Sequence, residues 1–178
     1  GTWYVHGYTP TALDRNAHNA TESYELDDKG RILTTYQFRK GSFDGSLKTY
    51  NPVGKVVNTE TNAEWRMRFF TVISAPYLIL YVDPDYTGTL VGHPNLKMAW
   101  LMSRSPDITE TRYAELVQEL ENRNFDLTDF VQVPQQWPVP AAAVAAPGAP
   151  KANGRVTPWA DIVPGADAKR LSDASAAK

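Results

Sequence analysis

No cysteine occurs anywhere in the 178 residues. Structural disulfides, thiol nucleophiles and cysteine-based metal sites are thereby ruled out together. Long apolar runs are missing too. The longest, residues 77–82 and 141–146, fall far short of the roughly 20 residues a transmembrane helix needs. Charge of one sign is scarce, with 18 Lys/Arg against 20 Asp/Glu and no basic block. That leaves no electrostatic footprint for nucleic acid, and none is expected as a partner. No signal-peptide pattern opens the sequence, which begins Gly1-Thr2-Trp3-Tyr4 inside what reads as a strand. A leader or lipid anchor ahead of it stays open.

What is present is aromatic and unevenly spread. Nearly all Phe, Trp and Tyr precede residue 138, whereas residues 138–150 are almost wholly Ala, Pro, Val and Gly. Such a stretch has nothing to build a core with and reads as an extended linker. The expected organisation is a domain over 1–137, a linker over 138–151 and a tail over 152–178. The tail holds Trp159, Ile162, Val163 and Leu171, large apolar side chains that a free end tends to lack. Residues 152–171 are therefore expected to attach to a protein partner or a second copy, against the alternative of a disordered end.

Residues 1–104 show short runs of period-2 alternation, broken by turn signals such as Asp27-Asp28-Lys29-Gly30, Asp83-Pro84-Asp85 and His93-Pro94-Asn95. The strands are expected at 1–8, 20–27, 31–39, 47–57, 64–71, 77–83, 87–93 and 97–104. Eight short antiparallel strands suit a closed barrel wide enough for one small ligand. A helix is expected over 110–124, with Thr109 as N-cap and Tyr113, Leu116, Val117 and Leu120 as its apolar stripe. A short closing strand is expected at 130–133. The fold class is thus all-β: an eight-stranded up-and-down barrel with one C-terminal helix.

Three segments carry a resemblance. Gly1-Thr2-Trp3 resembles the first-strand motif of the lipocalins. Asp83-Pro84-Asp85-Tyr86 resembles their acidic turn between the sixth and seventh strands, and Arg104 resembles the Arg that ends the eighth. Residues 74–80 are similar to apolipoprotein D, and Asn124-Phe125-Asp126 to apolipoprotein D and the bacterial outer-membrane lipocalins. The resemblance covers about residues 1–135. It implies a calyx that binds a small hydrophobic ligand, and a structural role for Gly1, Trp3, Asp83 and Arg104, with the Arg104 guanidinium packed on Trp3 at the closed end. It implies a periplasmic or outer-membrane-associated protein, membrane-peripheral or secreted. It also implies that the loop from Tyr8 to Asn19 crosses the open mouth as a partial lid.

Alternation assigns faces to the strands. In Trp65-Arg66-Met67-Arg68-Phe69 the arginines must point out, because an unpaired Arg inside a small barrel is too costly, so Trp65, Met67 and Phe69 point in. In residues 77–82 both faces are apolar and periodicity does not decide; matching to family positions puts Tyr77, Ile79 and Tyr81 inside. Met98, Trp100 and Met102 share a face, as do Ile32, Thr34, Tyr36 and Phe38, and Glu22 with Tyr24. The expected cavity wall is Tyr24, Tyr36, Phe38, Trp65, Met67, Phe69, Tyr77, Ile79, Tyr81, Met98, Trp100 and Met102, against the alternative that these side chains simply fill the barrel. Glu22 is either a carboxylate at the cavity or a side chain facing water at a strand end.

His6, His18 and His93 have no metal-ligand spacing, and His6, opposite in face to Trp3, is expected outside the barrel; they read as solvated or loop histidines, with a shared metal or haem site as the alternative. No catalytic triad, carboxylate pair or phosphate loop is legible, and no catalysis, metal or cofactor is expected. A bound lipid or pigment is expected instead: fatty acid, lysophospholipid, carotenoid or bilin. The competing reading is a structural subunit that docks on a larger membrane-associated assembly through barrel and tail.

Overall fold

The computed structural model describes residues 1–70 and 73–139. The tail from 152 and all but the first two residues of the linker lie outside the described residues. The strands are β1 (Thr2–Tyr8), β2 (Ala17–Leu26), β3 (Arg31–Lys40), β4 (Leu47–Tyr50), β5 (Val53–Val56), β6 (Glu64–Phe69), β7 (Ile73–Val82), β8 (Gly88–Gly92) and β9 (Ala99–Ser103). Helix α1 (Glu110–Asn122) and the two-residue β10 (Val131–Gln132) follow. Each strand pairs antiparallel with its neighbour, and β9 returns to pair with β1, which closes the barrel. Closure gives each of the main staves a partner on both sides, while the short β4 and β10 each pair on one side only.

The strand expected at 47–57 is two pieces. Pro52 has no N–H for a ladder and breaks it, so β4 pairs with the mouth half of β3 and β5 with the other half. Together they make one of eight barrel staves. Strand β2 starts at Ala17, before the expected 20, and β7 starts at Ile73.

Two apolar clusters lie on opposite sides of the wall. The inner one gathers Trp3, Val5, Tyr24, Ile32, Phe38, Trp65, Met67, Ile79, Val82 and Met102, among others. The outer one joins Leu80, Leu90, Ala99 and Leu101 to Leu116, Leu120 and Phe125. It holds α1 against β7, β8 and β9. Thr109 caps the helix by accepting from the Arg112 amide at 3.1 Å. Gly92 permits the approach, since a Cβ there would lie 2.5 Å from the Phe125 ring. Asn124, at φ 61°, turns the chain out of the helix.

The Asp83 turn ties helix to barrel. Its carboxylate accepts from Tyr81 at 2.6 Å, from Thr87 Oγ1 at 2.9 Å and from Arg112 of α1. Burial works against its charge, but these donors outweigh burial and hold Asp83 below the ordinary carboxylate range. Among the described residues no helix is long and apolar enough to cross a membrane.

Candidate functional site

The two barrel ends differ. At one end the Arg104 guanidinium lies 3.7 Å over the buried Trp3 ring and its Nη1 donates to the Thr2 carbonyl at 2.7 Å. Desolvation pushes Arg104 down to about 10, so it stays charged at neutral pH. The same end carries the tight turns between β2 and β3 and between β7 and β8.

The other end opens into a cavity of about 360 Å³. Of the expected wall residues, Tyr36, Met67, Phe69, Tyr77, Met98 and Trp100 line it. Tyr24, Phe38, Trp65, Ile79 and Met102 belong to the inner cluster and pack behind or below those residues. Trp65, Tyr77 and Trp100 form a row of stacked rings, with centroids 5.5 and 6.2 Å apart. Tyr36 stacks on Tyr50 across the β3–β4 pair at 6.4 Å.

Tyr81 requires a correction: it lies outside the barrel. The β7–β8 ladder shifts between Ile79 and Tyr81, with Ile79 opposite Val91 and Tyr81 opposite Leu90. This bulge puts Leu80 and Tyr81 both in the outer cluster and returns Val82 to the inner one. Tyr81 there packs by the helix, with the Arg123 guanidinium 5.9 Å from its ring.

Sequence reasoning left out several cavity residues. Tyr50 and Pro52 enter at the β4–β5 break, and Phe70, Ile73, Ala75 and Pro76 come from the β6–β7 hairpin. Phe70 has φ 48°, so it leaves the strand pattern that placed Phe69. Leu13, Phe70 and Ile73 line the cavity yet are exposed, giving the mouth an apolar rim. His93 also stands at the mouth. His6 is outside the barrel wall but not solvated: it is buried, with Nε2 2.9 Å from both Ser103 Oγ and the Ser105 carbonyl, and desolvation lowers its proton affinity. Among the described residues no group of His, Asp and Glu is placed to hold a metal ion.

The loop between β1 and β2 crosses the mouth and is pinned through Asp14. Its carboxylate accepts from the Thr11 amide and hydroxyl, both at 2.7 Å, and from the Tyr36 hydroxyl at 3.1 Å. The Tyr8 hydroxyl donates to the Asp14 carbonyl at 2.6 Å.

Glu22 is at the cavity, not in water. It is buried, lines the inner end of the cavity and accepts from Tyr24 and, at 3.1 Å, from Tyr77. The two phenol oxygens also contact each other. Desolvation raises the Glu22 carboxyl above its ordinary value, against the two phenol hydrogen bonds that favour the ionised form. Both tyrosines are raised well above theirs, chiefly by burial and then by the nearby carboxylate.

A family model described as a lipocalin-like domain matches residues 1–135. The chain is 24% identical over 157 residues to temperature-induced lipocalin-1 of Arabidopsis thaliana, covering 82% of this chain and 81% of that protein. It is 26% identical over 137 residues to outer membrane lipoprotein Blc of Escherichia coli K12, covering 76% of each. Among solved structures, lobster apocrustacyanin A1 superposes with a TM-score of 0.57 at 20% identity, over 76% of this chain and 77% of that one. Insecticyanin from the tobacco hornworm Manduca sexta superposes with 0.58 at 15%, over 78% and 79%. At these identities the solved structures speak for the fold alone.

Proposed function

The chain belongs to the lipocalin-like family, whose members hold small hydrophobic ligands or pigments, and on that premise we propose that it is a carrier of one lipid-like molecule: a fatty acid, a lysophospholipid or a flat pigment. The observation that carries this reading is the cavity of about 360 Å³ inside the barrel, walled by Tyr36, Met67, Phe69, Tyr77, Met98 and Trp100. Aromatic faces stack on rings and polyenes, and methionine adapts its shape to a chain. The apolar rim of Leu13, Phe70 and Ile73 gives such a molecule a path from water into the barrel. The function is binding without chemistry.

A fluorescent fatty-acid probe tests it. The probe is expected to bind saturably at micromolar concentration and to be displaced by a C16–C18 fatty acid or lysophospholipid. Absence of saturable probe binding contradicts the carrier reading. The name of the Escherichia coli relative places that protein at the outer membrane. A periplasmic or outer-membrane-associated location is part of our proposal and is checked by fractionating cells that express the chain.

A further inference from the structure

The charged groups on the cavity wall are of one sign. Asp14 and Glu22 line it, and among the described residues no Lys or Arg does. The two carboxyls are not equivalent. Asp14 has both oxygens engaged by Thr11 and Tyr36. Glu22 takes both of its hydrogen bonds on Oε2. Among the described residues Oε1 receives no donor, and it is not one of the fully enclosed unpartnered atoms, so it keeps access to the cavity in a side chain more than nine-tenths buried. A buried carboxyl favours its neutral form until a positive charge or further donors arrive to hold the ionised one. The rings of Tyr36 and Trp100 line the same cavity, and aromatic faces attract cations.

We propose that Glu22 Oε1 receives the head group of a cationic ligand: a lipophilic amine whose ammonium meets the carboxylate at the inner end of the cavity while its apolar body lies along the aromatic wall. This rests on the carrier reading and narrows it. A carboxylate head is repelled from the inner end and stays at the mouth. An ammonium meets a carboxylate and ring faces, all of them favourable.

Proton linkage follows. With the cavity empty, the groups facing Glu22 are Tyr24 on its own strand, Tyr36 on β3, Tyr77 on β7 and Asp14 in the mouth loop. None of them is a cation, and desolvation keeps the carboxyl protonated to higher pH than usual. An ammonium requires the ionised form, so its binding expels that proton. Amine affinity therefore rises with pH through the Glu22 titration, and a neutral ligand shows no such rise.

Decylamine, decanol and decanoate share one chain and differ in the head. Their affinities are measured by displacement of a fluorescent probe from the full chain at pH 7.5, for the wild type and Glu22→Gln. Decylamine is expected to bind at least tenfold more tightly than decanol or decanoate, and Glu22→Gln to narrow its lead over decanol to within twofold. Decanol or decanoate binding as tightly as decylamine overturns the head-group assignment and leaves the carrier reading standing. A lead that survives Glu22→Gln does the same. If none of the three binds, both fall. Should Glu22→Gln fail to fold by circular dichroism, the wild type decides between pH 5 and 8. Rising decylamine affinity beside flat decanol affinity supports the assignment, and a flat decylamine profile overturns it.

Discussion

Trp3 is fully buried, and Arg104 covers its ring with a charge that burial has partly stripped of water. Removing that ring leaves a large hole at the closed end. Trp3→Ala is expected to cost about 3–5 kcal/mol in urea denaturation, with the ranking of ligands unchanged. Glu22 makes a contribution of unusual sign. Its folded-state value lies above the ordinary 4.5, so between the two the folded chain holds more protons than the unfolded chain. Stability then falls as pH rises through that window and levels off above it. Glu22→Gln is expected to flatten this slope in denaturant titrations at stepped pH; an unchanged slope contradicts the assignment. The facing of Trp65, Met67 and Phe69 was legible because two arginines alternate with them. The placing of Glu22 was not, since its partner Tyr77 is 55 residues away and only barrel closure brings them together.

At the scale of elements, α1 was legible almost entirely from local signals: a threonine cap, an apolar stripe at 3.6 spacing and an asparagine at the exit. Thr109→Ala removes the acceptor for the Arg112 amide. It is expected to cost about 1 kcal/mol of stability and to leave ligand affinity unchanged, because the helix packs on the outside of the wall. Equal losses of stability and affinity would contradict that separation. Strand β7 shows what the pattern hides. Residues 77–82 are apolar on both faces, one face toward the cavity and the other toward the helix, so no alternation marks the bulge that sends Tyr81 outward. Likewise the break at Pro52 splits a strand whose halves serve the same stave, a loss of ladder visible only once both partners of β3 are in place.

For the whole molecule, the count of eight staves followed from turn spacing, because every strand is short and punctuated. Part of the cavity wall and the loop over its mouth followed from strand alternation and the family resemblance, but Phe70 and Ile73 of the rim did not, because they sit at the β6–β7 turn where no period marks them. Asp14 is the clasp of that mouth. Asp14→Ala removes three hydrogen bonds that hold the loop to itself and to Tyr36. It is expected to raise the ligand dissociation rate severalfold in stopped-flow displacement, and to speed amide exchange over residues 9–16. An unchanged dissociation rate means that the loop does not gate entry. All of this depends on a ligand lying inside the barrel, and Trp100 is the reporter placed to see it, since it lines the cavity while Trp3 sits at the closed end. A lipid chain brominated near its middle, titrated into the full chain, should quench tryptophan emission saturably at one equivalent, and Trp100→Phe should remove most of that quenching. Quenching that never saturates, or that is untouched when Trp100 and Trp65, which stacks behind Tyr77, are both replaced by Phe, would mean the lipid associates outside the barrel.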